Sequence, residues 1–333
     1  MIAARVRRIS RRDALVACAA ALAAGCSRRD RGGAPASAAS SAPDGPLGSR
    51  DAVDGDATRI VEWTFASHPG ERAAVILPNG PPARKYPVVI ALHGRGEALK
   101  GPAAGAMGWP RDYLLRRAYQ RLMRPPLVAA DFEGLAPPAH LDESNRALAS
   151  RPFGGLVIAC PYLPDVDLSD PREINAYARF VIDVLLPRVR AETPALPGAE
   201  STGIDGVSLG GAMALHVGLG APDVFGAVGA LQPAISEDDA QTWAERARAA
   251  RSRRPGLPIR LTTSKDDGFR GAIARASQAL RAAGVPHDFH DLLGPHDYVW
   301  NRGPGAIELL TWHDRVLSRG APDERDMFPG IER

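Results

Sequence analysis

The stretch 203–215 reads GIDGVSLGGAMAL, one serine among four glycines. Thr202–Val207 alternates like a strand, and Leu209–Leu219 has the composition of a helix. Glycine weakens both kinds of element, so Gly203, Gly206, Gly210 and Gly211 need a reason to be here. Gly206-Val207-Ser208-Leu209-Gly210 matches G-x-S-x-G and falls where the strand meets the helix. A side chain lifted onto so sharp a turn sits on strained backbone, and glycine neighbours relieve the crowding. The helix start also points unpaired N–H groups and a partial positive charge at Ser208. Other glycine-rich turns do not fit. A P-loop requires Gly-Lys-Ser/Thr, and a dinucleotide turn requires G-x-G-x-x-G with an acid about 20 residues on. The remaining alternative is a strand–helix turn that merely packs closely.

Outward from this turn, β-type runs occupy 59–67, 72–77, 87–92, 156–160, 202–207, 225–231, 258–263 and 286–292. VVIAL and LVIAC are apolar throughout, as expected of strands covered on both faces. Helical patterns occupy 171–190, 209–219, 238–250, 269–283 and 304–317. In the first of these, Ile174, Tyr177, Phe180, Val181, Val184 and Leu185 form one stripe. Two leading β runs followed by strand–helix alternation predict an α/β fold with a mostly parallel sheet and helices on both faces. Residues 97–154 are longer than a simple crossover needs. They offer a helix over 110–123, with Pro110 at a first helical position, and an irregular, proline-containing stretch over 125–150. This insertion is a candidate lid.

A serine hydroxyl is too weakly acidic to attack an acyl carbon unaided. It needs a base, and the base needs an orienting carboxylate. On a sheet of this kind they follow in the order serine, acid, histidine, at the ends of later strands. The run 258–263 leads into Ser264-Lys265-Asp266-Asp267-Gly268-Phe269, and 286–292 into Gly294-Pro295-His296-Asp297-Tyr298. His287 and His290 lie within the last β run on opposite sides, and His216 stands two turns along the helix after Ser208. His313 falls in the C-terminal helix, and His68 and His140 in loops. His296 is therefore the candidate base, with Asp266 or Asp267 behind it.

HGRG at 93–96, GVSLGG, SKDDGF and GPHDYVW, in this order, resemble an α/β-hydrolase of the esterase group that includes S-formylglutathione hydrolase and feruloyl esterase-like enzymes. The resemblance spans roughly residues 58–318. It implies an α/β-hydrolase fold with an eight-stranded sheet and carboxylic ester hydrolysis through an acyl-enzyme. Ser208 would be the nucleophile and His296 the base, and the Asp-x-Phe pattern favours Asp267 over Asp266. One oxyanion donor would come from Gly94, Arg95 or Gly96 and another from Leu209. The resemblance makes His93 a scaffold residue; Arg95 would meet an acidic substrate group or solvent. HGRG lacks the triple glycine of one large esterase branch, and 97–154 matches nothing in the group. A serine peptidase or acyltransferase, or a binding lipoprotein with an idle hydrolase fold, are the alternatives. The substrate would be a small-molecule or polysaccharide-linked ester. Trp109, Tyr113, Tyr298 and Trp300 either line its pocket or finish a core. No HExxH or paired CxxC appears, so no metal or cofactor is implied.

The ends of the chain carry a different message. The formal charge of +3 over 333 residues is concentrated in Arg5, Arg7, Arg8, Arg11 and Arg12. Without that leader the chain is slightly acidic, which removes the main argument for a nucleic-acid partner. Five arginines, the apolar run 14–24 and small residues before Cys26 read as an export signal over 1–25, too short to span a bilayer. Ser10–Leu15 resembles a twin-arginine motif and Ala23–Cys26 a lipoprotein box. The expectation is export to a bacterial periplasm or cell envelope, with a lipid anchor at Cys26. Residues 26–50 are a tether too poor in large apolar groups to fold, and 51–333 form the hydrolase domain. With Cys18 lost and Cys26 lipidated, Cys160 alone remains, read as a buried filler.

Overall fold

All eight β-type runs form strands: β1 (Thr58–Thr64), β2 (Arg72–Pro78), β3 (Val88–Leu92), β4 (Val157–Pro161), β5 (Thr202–Gly206), β6 (Ala227–Leu231), β7 (Ile259–Asp266) and β8 (Asp288–Pro295). The structure, a computed structural model, describes residues 56–68 and 70–317. The export signal, Cys26 and the tether lie outside the described residues. The strands make one sheet in the order β1-β2-β4-β3-β5-β6-β7-β8. β2 pairs antiparallel with β1 and β4, and every pairing from β4 through β8 is parallel. This is the expected α/β-hydrolase fold.

The sheet separates two apolar cores. Val88, Ile90 and Leu92 of β3 face one, and Val89 and Ala91 face the other. That alternation on a strand with no exposed residue is why VVIAL carries no polar position. Within the helices, α1 is Leu115–Leu122, α2 Pro138–Ser150, α3 Pro171–Arg179, α4 Leu186–Glu192, α5 Leu209–Gly220, α6 Ala240–Arg253, α7 Arg270–Ala282 and α8 Ala306–Leu317. Residues of α3 to α7 fill the first core. Those of α1, α8 and the insertion, among them Trp109, Phe132 and Leu148, fill the second.

Three departures from the sequence reading have local causes. The pattern over 171–190 divides into α3 and α4 around a wide turn, Phe180–Leu185, because Pro187 has no N–H for the carbonyl a turn earlier. The pattern over 110–123 breaks at Leu114, which adopts φ 51°, between a wide turn at Gly108–Asp112 and α1. Trp109 Nε1 donates to Leu92 O at 2.9 Å, and this bond holds the turn against the sheet. Residues 125–150 are not irregular throughout, since α2 occupies half of them. Only Leu148 of α2 is buried, so its sequence shows no apolar stripe.

A buried ion pair lies beneath the central strands. Asp205 on β5 accepts from Arg260 Nη2 at 2.6 Å, His313 Nε2 at 2.9 Å and Gly206 N–H at 2.8 Å. Burial lowers the His313 pKa while Asp205 opposes the shift. A Cβ on Gly203 would stand 2.5 Å from His313 Nδ1, and one on Gly229 would overlap Asp205. Gly203 therefore serves this buried cluster.

Candidate active site

Because β3, β5, β6, β7 and β8 run parallel, their C-terminal ends share one edge of the sheet. His93–Gly96, Ser208, Gln232, Asp267 and His296 stand just after those five ends.

Ser208 adopts φ 58° and ψ −119°, a conformation L residues take only when their surroundings enforce it. The enforcing bonds are visible. Ser208 N–H donates to Leu231 O at 3.1 Å, and Ser208 O accepts from Ala212 and Ala234 N–H at 3.0 Å each. A Cβ on Gly210 would lie 2.4 Å from the carbonyl oxygens of Leu92 and His93, and one on Gly206 equally close to Gly210 O. The flanking glycines thus let β3, β5 and α5 converge under the serine. Neither needs glycine for a positive φ.

On β7 the ladder with β8 shifts register between Ser264 and Asp266, and such irregularities re-aim the side chains that follow. Asp266 is left exposed and Asp267 is turned inward, 6% exposed. Asp267 Oδ1 accepts from His296 Nδ1 and from Phe269 N–H, both at 2.9 Å, and Oδ2 accepts from Thr263 Oγ1 at 2.9 Å. The geometry therefore pairs His296 with Asp267 and leaves Asp266 out. With Nδ1–H donating, Nε2 of the neutral ring is free to accept a proton. No hydrogen bond joins it to Ser208 Oγ among the described residues. Such bonds are often long before substrate binds. Gln232, fully buried at φ 42°, spans the gap in the scaffold. Its Nε2 donates to Ser264 Oγ at 2.6 Å and to Pro295 O at 3.1 Å, next to His296. Asp297 caps the short helix beyond, accepting from Trp300 N–H at 3.0 Å.

The loop after β3 abuts the serine: a methyl on Gly94 would stand 3.6 Å from Ser208 Cβ. His93 is buried, donating from Nδ1 to Gly94 O and accepting Leu163 N–H at Nε2, both at 2.9 Å. Burial lowers its pKa, so it is a neutral brace. Gly94 N–H donates to Tyr113 Oη at 3.1 Å and is already engaged. Among the described residues the N–H groups of Arg95, Gly96 and Leu209 have no partner. They are free to donate to a bound group beside Ser208. The Arg95 side chain pairs with Asp165, Nε–Oδ1 2.8 Å and Nη2–Oδ2 2.9 Å.

Of the four aromatics, Trp109, Trp300 and Tyr113 are buried in the core and Tyr298 is 37% exposed beside the site. The other histidines are engaged elsewhere. His287 contacts Ser277 Oγ at 2.8 Å, and His290 and His140 flank Glu308 at 3.0 and 3.6 Å. Burial and Arg246 lower the His216 pKa to about 4. The sequence reading missed Glu97, Gln232 and the hydroxyl of Tyr113. Nothing in the chain marks them, since their roles arise from contacts across the fold.

Residues 165–301 match the family described as "Esterase: Putative esterase". The match takes in Ser208, Asp267 and His296 and leaves HGRG outside. No curated protein matches the chain. Among solved structures, a ferulic acid esterase is similar at TM-score 0.57 and 20% identity, over 78% of this chain and 99% of that one. An S-formylglutathione hydrolase from Staphylococcus aureus is similar at 0.53 and 15%, over 79% and 98%. A feruloyl esterase module from Clostridium thermocellum, complexed with sinapinate, is similar at 0.54 and 15%, over 78% and 88%. The family match covers under half of the chain, and the similar structures share its α/β-hydrolase fold.

Proposed function

We propose that this chain hydrolyses carboxylic esters by covalent catalysis. Ser208 Oγ attacks the ester carbonyl carbon as His296 Nε2 takes its proton, and the carbonyl oxygen gathers negative charge. That charge meets the N–H groups of Leu209 and of Arg95 or Gly96, worth about 3 kcal/mol per donor in barrier. Collapse expels the alcohol, protonated by the imidazolium, and leaves an acyl group on Ser208. Water, deprotonated by His296, then releases the acid and restores the serine. Asp267 holds the imidazole in the required tautomer and stabilises its charged form.

The observation that carries this reading is the bond of His296 to the buried Asp267 at 2.9 Å, set on the same sheet edge as a serine at φ 58°. An idle fold would have no use for that strain. The names of the similar structures, a ferulic acid esterase and an S-formylglutathione hydrolase, favour an acyl ester or thioester substrate. The test is turnover of short p-nitrophenyl esters. The wild-type chain should hydrolyse them and Ser208→Ala should lose at least about 10³-fold in kcat with an unchanged circular-dichroism spectrum. Undiminished turnover by Ser208→Ala would refute the assignment.

A further inference from the structure

We infer that Glu97 is a positioning residue that fixes the oxyanion loop and ties it to the segment carrying His296. The inference rests on the ester-hydrolase reading above and adds to it how the two halves of the site keep their distance. Glu97 is 1% exposed, a buried carboxylate one residue past HGRG. Three donors converge on it. Tyr113 Oη donates to Oε2, Tyr298 Oη donates to Oε1 at 2.5 Å, and Lys100 Nζ reaches Oε1 at 3.2 Å.

The partners distinguish this cluster from an ordinary satisfied acid. Tyr113 Oη, while donating to Glu97, accepts Gly94 N–H at 3.1 Å, so the carboxylate orders the His93–Gly94 peptide, one unit before the Arg95 N–H. Tyr298 stands two residues after His296 and packs on the same loop: a Cβ on Gly96 would lie 3.2 Å from its hydroxyl. Lys100 closes the ring, donating to Tyr298 Oη at 3.1 Å and to Asp112 Oδ2 at 2.8 Å. One buried group thereby spans the loop after β3, the insertion and the loop after β8. Burial, then the charge of Glu97, pushes the Tyr113 pKa well up, so that phenol stays a donor to the carboxylate. The fit is close, since a Cβ on Gly108 would stand 2.7 Å from Glu97 Cγ. An oxyanion donor works only when held where the charge develops, and such placement costs nothing at the moment of reaction. Loosening Gly94 and Arg95 should therefore raise the barrier without weakening ground-state binding.

The test uses Tyr113→Phe, which keeps the ring and removes the hydroxyl, with Glu97→Gln and the half-exposed Tyr298→Phe as milder cuts. Steady-state kinetics on a p-nitrophenyl ester are read beside Tm and the inhibition constant of a trifluoromethyl ketone, whose adduct carries an oxyanion. For Tyr113→Phe, kcat should fall about 10- to 100-fold, less than the roughly 10²–10³ lost with a whole donor. KM should stay within about threefold, and the ketone should weaken in step with kcat. Glu97→Gln should keep more activity than Glu97→Ala. A lowered Tm with kcat and ketone inhibition unchanged in all four variants would make the cluster purely structural and overturn the inference. A folded wild-type chain without ester turnover would overturn the underlying reading and the inference with it.

Discussion

At the scale of single residues, the two neighbouring acids on β7 show what a sequence can and cannot decide. Asp266 and Asp267 are chemically identical, and only a one-residue change of direction separates solvent from His296. That change is the register shift between Ser264 and Asp266, produced by pairing with β8, thirty residues away in the chain and invisible locally. The Asp-x-Phe pattern selected the residue that the geometry joins to His296, although neither residue type nor spacing alone could. Glu97 shows the converse. A glutamate after a glycine-rich loop reads as solvated, and its burial depends on Tyr113 and Tyr298 arriving from distant segments. The contrast between the acids is testable. Asp267→Asn should lower kcat by about 10⁴, because the amide favours the wrong imidazole tautomer. Asp266→Asn, at an exposed position, should stay within about twofold. Equal losses in the two variants, measured side by side, would deny Asp267 its role.

At the scale of elements, the strand–turn–helix around Ser208 was legible because its glycines are a steric requirement. Each carbonyl that crowds Gly206 and Gly210 belongs to the backbone, which cannot rotate away as a side chain can. Helix propensity alone says that Gly210→Ala should stabilise α5 by about 1 kcal/mol. The 2.4 Å approaches to Leu92 O and His93 O argue the opposite. Overpacking of that severity costs about 1–3 kcal/mol or more, so the steric effect wins. Gly210→Ala should therefore lower Tm by several degrees and reduce activity through displacement of Leu209; a raised Tm would show the turn to be looser than described. Helix α2 was illegible for a related reason. It buries Leu148 alone and is anchored instead by Asn145, whose side chain bonds both the N–H and the carbonyl of Leu127 at 2.7 and 2.9 Å. An element held by polar contacts leaves no apolar period to read.

At the scale of the whole molecule, the parallel ordering of β3 through β8 brings the chemistry together. A strand run in the opposite sense would send Asp267 or His296 to the far edge. The alternation of β runs with helical patterns predicted this sheet, since strands covered on both faces and linked by helices have few other solutions. The insertion was the least legible large feature. Its residues cap the second core and, through Tyr113, reach the oxyanion loop. Activation of Ser208 by His296 spans a link that no hydrogen bond closes among the described residues. A fluorophosphonate reagent, which bonds only an activated serine, measures this directly when its adduct is mapped by mass spectrometry. The wild-type chain should carry the adduct on Ser208, and His296→Ala should acquire it at least about 10²-fold more slowly. A folded wild-type chain that takes no label, or a His296→Ala chain labelled at the wild-type rate, would contradict the catalytic assignment.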